Sequence, residues 1–302
     1  MSRKSVFLLA ATVVMLYFSI ILFMLSPLHG AKSSYYINVN NYMNHFGYRQ
    51  TPQVHWCKEL KWRVPPSPKV TALVSYPGSG NTWLRYLLQQ STGIVTGSIY
   101  MDYGLKAHGF PAENMTDGSV LIVKTHGVPP LDSESYKFHS AVLLIRNPRD
   151  AILADYNRLY KGHIGTAPKY VFKKRSPNSK ISDWAAHVYQ QLRDWEGLHY
   201  KWLSQFPGAI HIVFYEVLVR ETRKELNKIL QFLNYTVSEE DMNCAMLNKE
   251  GIYRRKKKFQ DFDPYTKDMY KGLDKIRQRI LRLINVYQKK NNVTFVGLKG
   301  YL

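Results

Sequence analysis

The sequence predicts an α/β protein with a central parallel sheet flanked by helices, preceded by a transmembrane helix near the N-terminus. Short apolar runs alternate with helical patterns from Lys69 onward. These runs are continuously apolar, as strands covered on both faces of a parallel sheet are. Near the N-terminus, a run of 20 residues without a charge extends from Val6 to Leu25. About 20 apolar residues are enough to cross a bilayer as a helix.

The charges before the first apolar run predict how the chain is oriented in a membrane. Arg3 and Lys4 precede this run. A positive flank favours a cytoplasmic tail at residues 1–5, a signal-anchor at 6–28 and a luminal remainder, whereas a cleaved signal peptide is the alternative. Three glycosylation sequons, which are usable only in a secretory lumen, begin at Asn114, Asn234 and Asn292.

Residues 29–68 are predicted to form a luminal stem, because they are rich in Asn, Tyr and Pro and show no sustained period. Trp56, Cys57 and Trp62 indicate that the end of the stem packs on the domain that follows, residues 69–302. In that domain strands are predicted at 70–76, 119–125, 140–146 and 209–215. Helices are predicted at 81–90, 148–160, 183–205, 221–233 and 267–290.

The first strand runs into a turn of small residues, SYPGSGNTW at 75–83, that opens a helix. Glycines let backbone N–H groups point inward, and with a helix N-terminus they form an anion cradle. A tight strand-to-helix turn without a ligand is the alternative interpretation. The segment lacks the Gly-Lys-Ser/Thr of a nucleotide-triphosphate P-loop, so a different anion is expected here.

Lys124 and His126 lie two residues apart at the end of the next predicted strand, and therefore on the same face. Ligands of open α/β sheets bind at this carboxyl edge. A lysine beside a histidine lowers the histidine pKa and keeps it neutral, as a general base must be. The alternative is a structural histidine.

Two basic segments complete the candidate site. Arg146 ends the third strand, just before Asn147 and Pro148, which are suited to the N-cap and first position of a helix. An arginine there can grip a phosphate with two hydrogen bonds, whereas a surface ion pair is the alternative. Residues 254–258 read RRKKK, which is either a ligand-binding cluster or a solvated charged stretch.

Composition and charge narrow the class of protein. The 302 residues contain 42 Lys and Arg against 22 Asp and Glu, a net charge of +20. This surplus favours polyanionic partners, which are nucleic acid, anionic lipid or acidic, phosphate-bearing small substrates. The luminal topology and the lack of a recognisable binding module disfavour nucleic acid. Cys57 and Cys244 allow one disulfide at most, and no metal site is recognisable.

Together these segments resemble the sulfotransferases that use 3′-phosphoadenosine 5′-phosphosulfate (PAPS) and release 3′-phosphoadenosine 5′-phosphate (PAP). YPGSGNTW at 76–83 is similar to the family's 5′-phosphosulfate loop, and VLLIRNPRD at 142–150 to its 3′-phosphate segment. VKTH at 123–126 is similar to the family's Lys-Thr-His segment, and the segment from 214 to 233 to its Tyr-Glu-Asp-Leu segment and helix. The resemblance implies the P-loop-like sulfotransferase fold.

The resemblance also implies roles for residues. His126 is then the catalytic base, and Lys124 stabilises the departing 5′-phosphate. The residues implied to bind the donor are Pro77, Gly78, Ser79, Gly80, Asn81, Thr82, Trp83, Arg85, Arg146, Arg254, Arg255 and Lys256. Among them Trp83 is expected to stack on the adenine, and Arg146 with the basic cluster to hold the 3′-phosphate. Arg85 is a second candidate for stabilising the leaving group.

Two positions depart from the family pattern. Gly78 stands where the common loop has a lysine, and Ala154 where cytosolic members have a serine that contacts the 3′-phosphate. The leaving phosphate still needs positive charge, since electrostatic stabilisation is usually the largest catalytic effect. We therefore expect Lys124 to replace the missing lysine.

Within the family, SYPGSGNTW, the HGF at 108–110, the RNPRD helix start and the tail from GIYRRKKK to FDPYT resemble the WSC-domain-containing sulfotransferase-like proteins. Two cysteines cannot build the cysteine-rich WSC domain itself. The resemblance implies a type II protein of the Golgi membrane that sulfates a glycan hydroxyl, with an acidic or sialylated acceptor. The alternatives are an inactive luminal protein that binds nucleotide or glycan, and a sulfotransferase for glycosaminoglycan or protein tyrosine.

Overall fold

The computed structural model describes residues 54–129, 138–163, 165–253 and 262–291. The predicted tail and signal-anchor, most of the stem, the basic cluster at 254–258 and Asn292 lie outside the described residues. In the described part of the chain, none of the helices combines the length and apolar character needed to cross a bilayer.

The described residues form one sheet of five parallel strands in the order β2-β3-β1-β4-β5. The strands are β1 (Val70–Ser75), β2 (Gly97–Ser98), β3 (Val123–Thr125), β4 (Phe138–Ile145) and β5 (Ala209–Phe214). This confirms the predicted parallel sheet flanked by helices. The strand predicted at 119–125 is shorter than expected, because the backbone at Ser119 and Leu121 bonds to Arg63 and Val95 instead of to the ladder.

Eight α-helices are present in the described part of the chain. They are α1 (Asn81–Thr92), α2 (Tyr103–Ala107), α3 (Pro148–Lys161), α4 (Asp183–Gln205), α5 (Tyr215–Arg220), α6 (Thr222–Phe232), α7 (Glu239–Leu247) and α8 (Lys267–Asn291). All five predicted helices are present, but three short helices, α2, α5 and α7, were not predicted. Asp102 and Ser238 cap α2 and α7 by accepting from backbone N–H groups three residues on. Helices of one or two turns are too short to show the periodicity that identifies longer ones.

Both faces of the sheet are buried, as the continuously apolar strands predicted. Ala72 and Val74 of β1 belong to the core on one face, which α3, α4 and α8 cover. Leu73 belongs to the core on the other face, under α1 and α6. Successive side chains of a strand point to opposite faces, so a strand with helices on both sides is apolar throughout.

The end of the predicted stem lies against the domain. A disulfide joins Cys57 to Cys244 in α7. The Cys57 N–H donates to the side-chain oxygen of Gln90 at 2.9 Å, and the Trp56 ring packs on Tyr86 with centroids 5.5 Å apart. The backbone of Lys61 pairs with that of Ile94. Residues 54–68 are therefore fastened to α1, α7 and the edge of the sheet.

Candidate functional site

The sequence-predicted site residues meet at the carboxyl ends of β1, β3 and β4. The chain passes from β1 to β3 on one side and then crosses to β4 on the other side. Such a switch in strand order opens a crevice at the carboxyl edge, where α/β proteins bind their ligands. The loop after β1, Lys124 and His126 at the end of β3, and Arg146 after β4 all lie at this edge.

The loop from Pro77 to Gly80 is pressed between two helices, and this explains the departure at Gly78. Gly78 has φ +79°, and a Cβ atom there would lie 2.3 Å from the Ala151 carbonyl oxygen and 2.7 Å from the Asp155 nitrogen of α3. Gly80 has φ +93°, and a Cβ there would lie 2.5 Å from the Tyr215 ring. A lysine therefore has no room at position 78 in this loop.

The loop and the start of α1 have the properties of an anion cradle. The N-cap of α1 is Gly80, which offers no side chain to the first helical N–H groups, and the first turn contains no acidic residue. The Ser79 hydroxyl is buried and has no hydrogen-bond partner among the described residues. Uncapped N–H groups at a helix N-terminus attract negative charge. A phosphate bound there would satisfy both these N–H groups and the Ser79 hydroxyl.

His126 is held in the orientation and tautomer that a general base needs. Its Nδ1 lies 2.6 Å from the Ser75 carbonyl oxygen. A carbonyl oxygen only accepts, so Nδ1 carries the proton and the lone pair is on Nε2. Burial, reinforced by the charge of Lys124, lowers the pKa of His126 to about 3. The imidazole is therefore neutral at physiological pH, as predicted.

Lys124 is buried beside His126. Its ammonium lies 5.7 Å from the centroid of the Tyr100 ring, and the residue is 6% exposed. Burial, followed by the charge of Arg85, lowers the pKa of Lys124 to about 8, and this lowering outweighs the opposite effects of Glu113 and Asp102. Lys124 thus carries a charge at neutral pH that its surroundings compensate only in part. An anion at the cradle would supply the remaining compensation.

Arg146 contacts the cradle directly. Its Nη1 donates to the Gly78 carbonyl oxygen at 2.8 Å, and its guanidinium carbon lies 4.3 Å from the centroid of the Tyr215 ring. Its Nε is buried and has no hydrogen-bond partner in the described part of the chain. Tyr215 thus contacts both Gly80 and Arg146. The sequence motifs predicted no role for Tyr215, although this residue opens the Tyr-Glu segment at 215–216.

Arg85 is not part of the cradle, which corrects the sequence-based expectation. Its guanidinium is fully buried, pairs with Glu113 at 2.6 Å, and donates twice more to Thr96. Its carbon lies 4.4 Å from the centroid of the Phe110 ring. Because these partners occupy the guanidinium inside the protein, Lys124 remains as the candidate to replace the missing lysine.

The other predicted residues are placed as follows. Pro77 and Thr82 are partly exposed at the loop, whereas Asn81 is buried. Trp83 is 2% exposed, its indole N–H donates to the Lys249 carbonyl oxygen at 2.7 Å, and its ring meets Tyr215 edge-on. Its stacking on adenine stays a prediction, as do the roles of Arg254, Arg255 and Lys256, which lie outside the described residues.

Two of the three sequon asparagines, Asn114 and Asn234, are exposed, and Asn292 is not described. Within the described ranges, no group of three or more His, Cys, Asp or Glu side chains is arranged to hold a metal ion.

Comparisons with known proteins identify the family of this chain. The sulfotransferase domain family matches residues 68–275. A WSCD family member of Aedes aegypti is 44% identical over 253 residues, which are 76% of this chain and 78% of that protein. One of Drosophila melanogaster is 48% identical over 218 residues, 72% of this chain and 67% of that protein. A solved mouse sulfotransferase complexed with PAP aligns over 74% of this chain and 87% of its own, with 17% identity and a TM-score of 0.47.

The parallel sheet and the matched domain define the class of protein as a sulfotransferase. The chain belongs to this sulfotransferase family and, within it, to the WSCD family.

Proposed function

We propose that this protein transfers the sulfuryl group of PAPS to a hydroxyl of an acidic or sialylated glycan in the Golgi lumen. The observation that carries the proposal is the arrangement of His126. Its Nδ1 proton is directed at the Ser75 carbonyl, and its neutral Nε2 is available beside a lysine and an anion cradle. A protein that only binds nucleotide has no need for a base in this position.

The donor binds through its two phosphate ends in this proposal. The 5′-phosphosulfate lies in the cradle, where the N–H groups of residues 78–82 and the Ser79 hydroxyl donate to its oxygens. Arg146 and the cluster Arg254, Arg255 and Lys256 bind the 3′-phosphate. Trp83 packs on the adenine.

The transfer is an in-line displacement at sulfur. The acceptor hydroxyl oxygen forms the new bond to sulfur as the bond from sulfur to the 5′-phosphate oxygen breaks, and PAP leaves. The acceptor proton goes to Nε2 of His126, and the ammonium of Lys124 stabilises the charge that grows on the phosphate. The negative donor raises the pKa of both groups, which makes His126 a stronger base in the complex than in the free protein.

Two features support a luminal location. The disulfide between Cys57 and Cys244 suits an oxidising compartment, because cytosolic thiols are kept reduced. The sequons at Asn114 and Asn234 are exposed, so both asparagines are accessible for glycosylation. Membrane anchoring rests on the apolar run at 6–25 and its positive flank.

The test is sulfate transfer by the detergent-solubilised full chain, using radiolabelled PAPS with intact and desialylated glycoproteins. His126→Ala should reduce kcat by about 10²–10⁴, the usual worth of a general base, and leave PAP affinity within about twofold. His139→Ala is the matched control, because His139 is exposed near the amino end of β4, away from the site.

The outcomes separate the alternatives. Transfer that needs sialic acid and is lost in His126→Ala supports the proposal. Near-normal turnover by His126→Ala would refute the role of the base. Tight PAP binding without transfer to glycoproteins, glycosaminoglycans or tyrosine peptides would favour an inactive binding protein, and transfer only to one of the latter two would reassign the acceptor.

A further inference from the structure

Residues 99–102, which follow β2, contact His126, the proposed base. The Tyr100 ring stacks on the His126 ring with centroids 5.6 Å apart and planes 26° apart. The Tyr100 hydroxyl accepts from the backbone N–H of His126 at 3.0 Å. Tyr100 is 38% exposed, and its ring covers one face of the His126 imidazole. An acceptor that approaches His126 meets the residues of this segment.

Two residues after Tyr100, the side chain of Asp102 joins the same segment to the end of α3. One oxygen of Asp102 accepts from the Leu105 N–H at 3.0 Å and thereby caps α2. The other oxygen is 2.7 Å from Nε2 of His163, which follows the end of α3. The two side chains are 31% and 28% exposed. This contact, here called the latch, therefore joins the segment over β3 to the end of the helix that packs against the cradle.

We propose that Asp102 and His163 are positioning residues for the acceptor step. Their hydrogen bond holds Tyr100 against His126 and sets the place where the acceptor hydroxyl meets Nε2. This inference rests on the proposed function, because it concerns the acceptor side of the same site. It assigns the donor side no change, since the hydrogen bonds described for Asp102 go to Leu105 and His163 and not to the loop at 77–80.

The surroundings of the latch keep the Asp102 carboxyl group ionised. Burial alone would raise the pKa of Asp102, but the hydrogen bond and charge of His163, the Leu105 N–H and the charge of Lys124 hold that pKa well below its usual range. Asp102 is therefore ionised, and its carboxylate accepts the hydrogen bond from Nε2 of His163. The other titratable and charged groups that act on this pair or on the adjacent base are Lys124, Arg85, Arg158, His126 and Tyr253.

Three substitutions test the latch with the full chain. His163→Ala removes the hydrogen bond, whereas the amide of His163→Gln still donates to Asp102. Asp102→Asn keeps an oxygen for the cap of α2, and its neutral amide replaces the charged carboxylate in the contact with His163. His108→Ala is the matched control, because His108 ends α2 and its side chain contacts only a backbone oxygen, that of Gly104.

The first measurement does not depend on any acceptor. Hydrogen exchange of the His126 backbone amide, followed by NMR, reports whether Tyr100 stays in place. His163→Ala should speed this exchange by about fivefold, the effect of losing one hydrogen bond, and His163→Gln should restore most of the protection. Unchanged exchange in His163→Ala would overturn the latch.

The second measurement is steady-state transfer to the acceptor. His163→Ala should raise the acceptor KM by about fivefold and leave PAP affinity within about twofold. Asp102→Asn should raise the acceptor KM less than His163→Ala does, because its amide can still bond to His163 but lacks the carboxylate charge. Equal KM values in wild type and His163→Ala, or a His163→Gln variant as weak as His163→Ala, would refute the inference. If the wild-type protein sulfates nothing, the proposed function fails, and the amide exchange alone decides the latch.

Discussion

At the scale of single residues, the site concentrates positive charge that the protein does not neutralise. Burial and Arg85 lower the pKa of Lys124, and Lys124 in turn contributes to lowering that of His126. Groups whose charged forms are disfavoured in the free protein gain the most from an anionic ligand. Donor binding and proton uptake are therefore coupled at Lys124.

This coupling predicts a pH dependence of PAP affinity. Because the pKa of Lys124 is about 8 in the free protein, PAP should bind more weakly as the pH rises through that value. Binding should take up a proton near pH 8, detected by calorimetry in two buffers of different ionisation enthalpy. Lys124→Arg keeps its charge at these pH values, so its affinity should stay flat there. The same slope in both proteins would assign the effect to another group.

The same pKa also fixes the direction of the effect on stability. Unfolded Lys124 keeps its proton up to its ordinary value of 10.5, whereas the folded protein releases it from about 8. Between these values the unfolded state binds more protons, so the Lys124 contribution should raise the free energy of unfolding as the pH rises. Urea unfolding across this window measures it, with Lys124→Met as the control that lacks the titrating group.

Arg85 and Glu113 form a second charged pair, with a structural role. Arg85→Met leaves the fully buried carboxylate of Glu113 without its cation, and breaking a buried pair in this way typically costs about 3–5 kcal/mol of unfolding free energy. The double variant Arg85→Met with Glu113→Leu should recover most of that loss. Urea unfolding measures both. An Arg85→Met protein of normal stability that no longer binds PAP would restore Arg85 as a donor ligand.

At the scale of elements, the donor loop owes its shape to the helices around it. Gly78 touches the backbone of α3, and Gly80 touches the ring of Tyr215 in α5. The absence of a lysine at position 78 therefore follows from the close packing of the loop on α3, because that packing leaves no space for a side chain there. In the proposed mechanism the positive charge comes from β3 instead, through Lys124.

Restoring a side chain at position 78 should therefore destabilise the protein. We expect Gly78→Ala and Gly78→Lys to lower the unfolding free energy by at least about 1–3 kcal/mol, the usual cost of a strained backbone alone. Gly197→Ala is the control, because nothing lies within 4 Å of its added Cβ in the middle of α4, and it should stabilise the helix by up to about 1 kcal/mol. A Gly78→Lys protein of wild-type stability and higher turnover would show that the loop can move to admit the lysine.

Elements with strong local signals were predicted well from the sequence. Asn147 caps α3 by accepting from the Arg149 N–H, and Pro148 occupies the first turn, as their residue types indicated. The ion pair of Arg85 with Glu113 and the contact of Asp102 with His163 were not predicted. The first contact joins residues 28 positions apart and the second joins residues 61 positions apart. Contacts between residues so distant in sequence depend on how separate segments pack. Local patterns therefore located the site edge but not the side chains that surround it.

At the scale of the whole molecule, one covalent bond ties the chain before β1 to α7, which lies late in the sequence of the domain. The loop closed by Cys57 and Cys244 spans 187 positions. The side-chain nitrogen of Asn248 lies 3.6 Å from each of the two sulfur atoms. The backbone carbonyl of Asn248 accepts a hydrogen bond from the Tyr86 hydroxyl. The next carbonyl, that of Lys249, holds Trp83. The disulfide thus supports residues 248–249, which hold Trp83, the side chain predicted to pack on the adenine.

Removing the disulfide should therefore affect both stability and donor binding. Closing so long a loop restricts the unfolded chain, and this entropic effect is worth about 5 kcal/mol of stabilisation. We expect the double variant Cys57→Ala with Cys244→Ala to unfold at a lower temperature and to bind PAP more weakly. Calorimetry of wild type with and without reductant, beside this variant, provides the measurement. If reductant lowers the wild-type transition to that of the variant and leaves the variant unchanged, the effect belongs to the bond itself. Equal transition temperatures for the oxidised wild type and the variant would mean that packing alone holds residues 54–68.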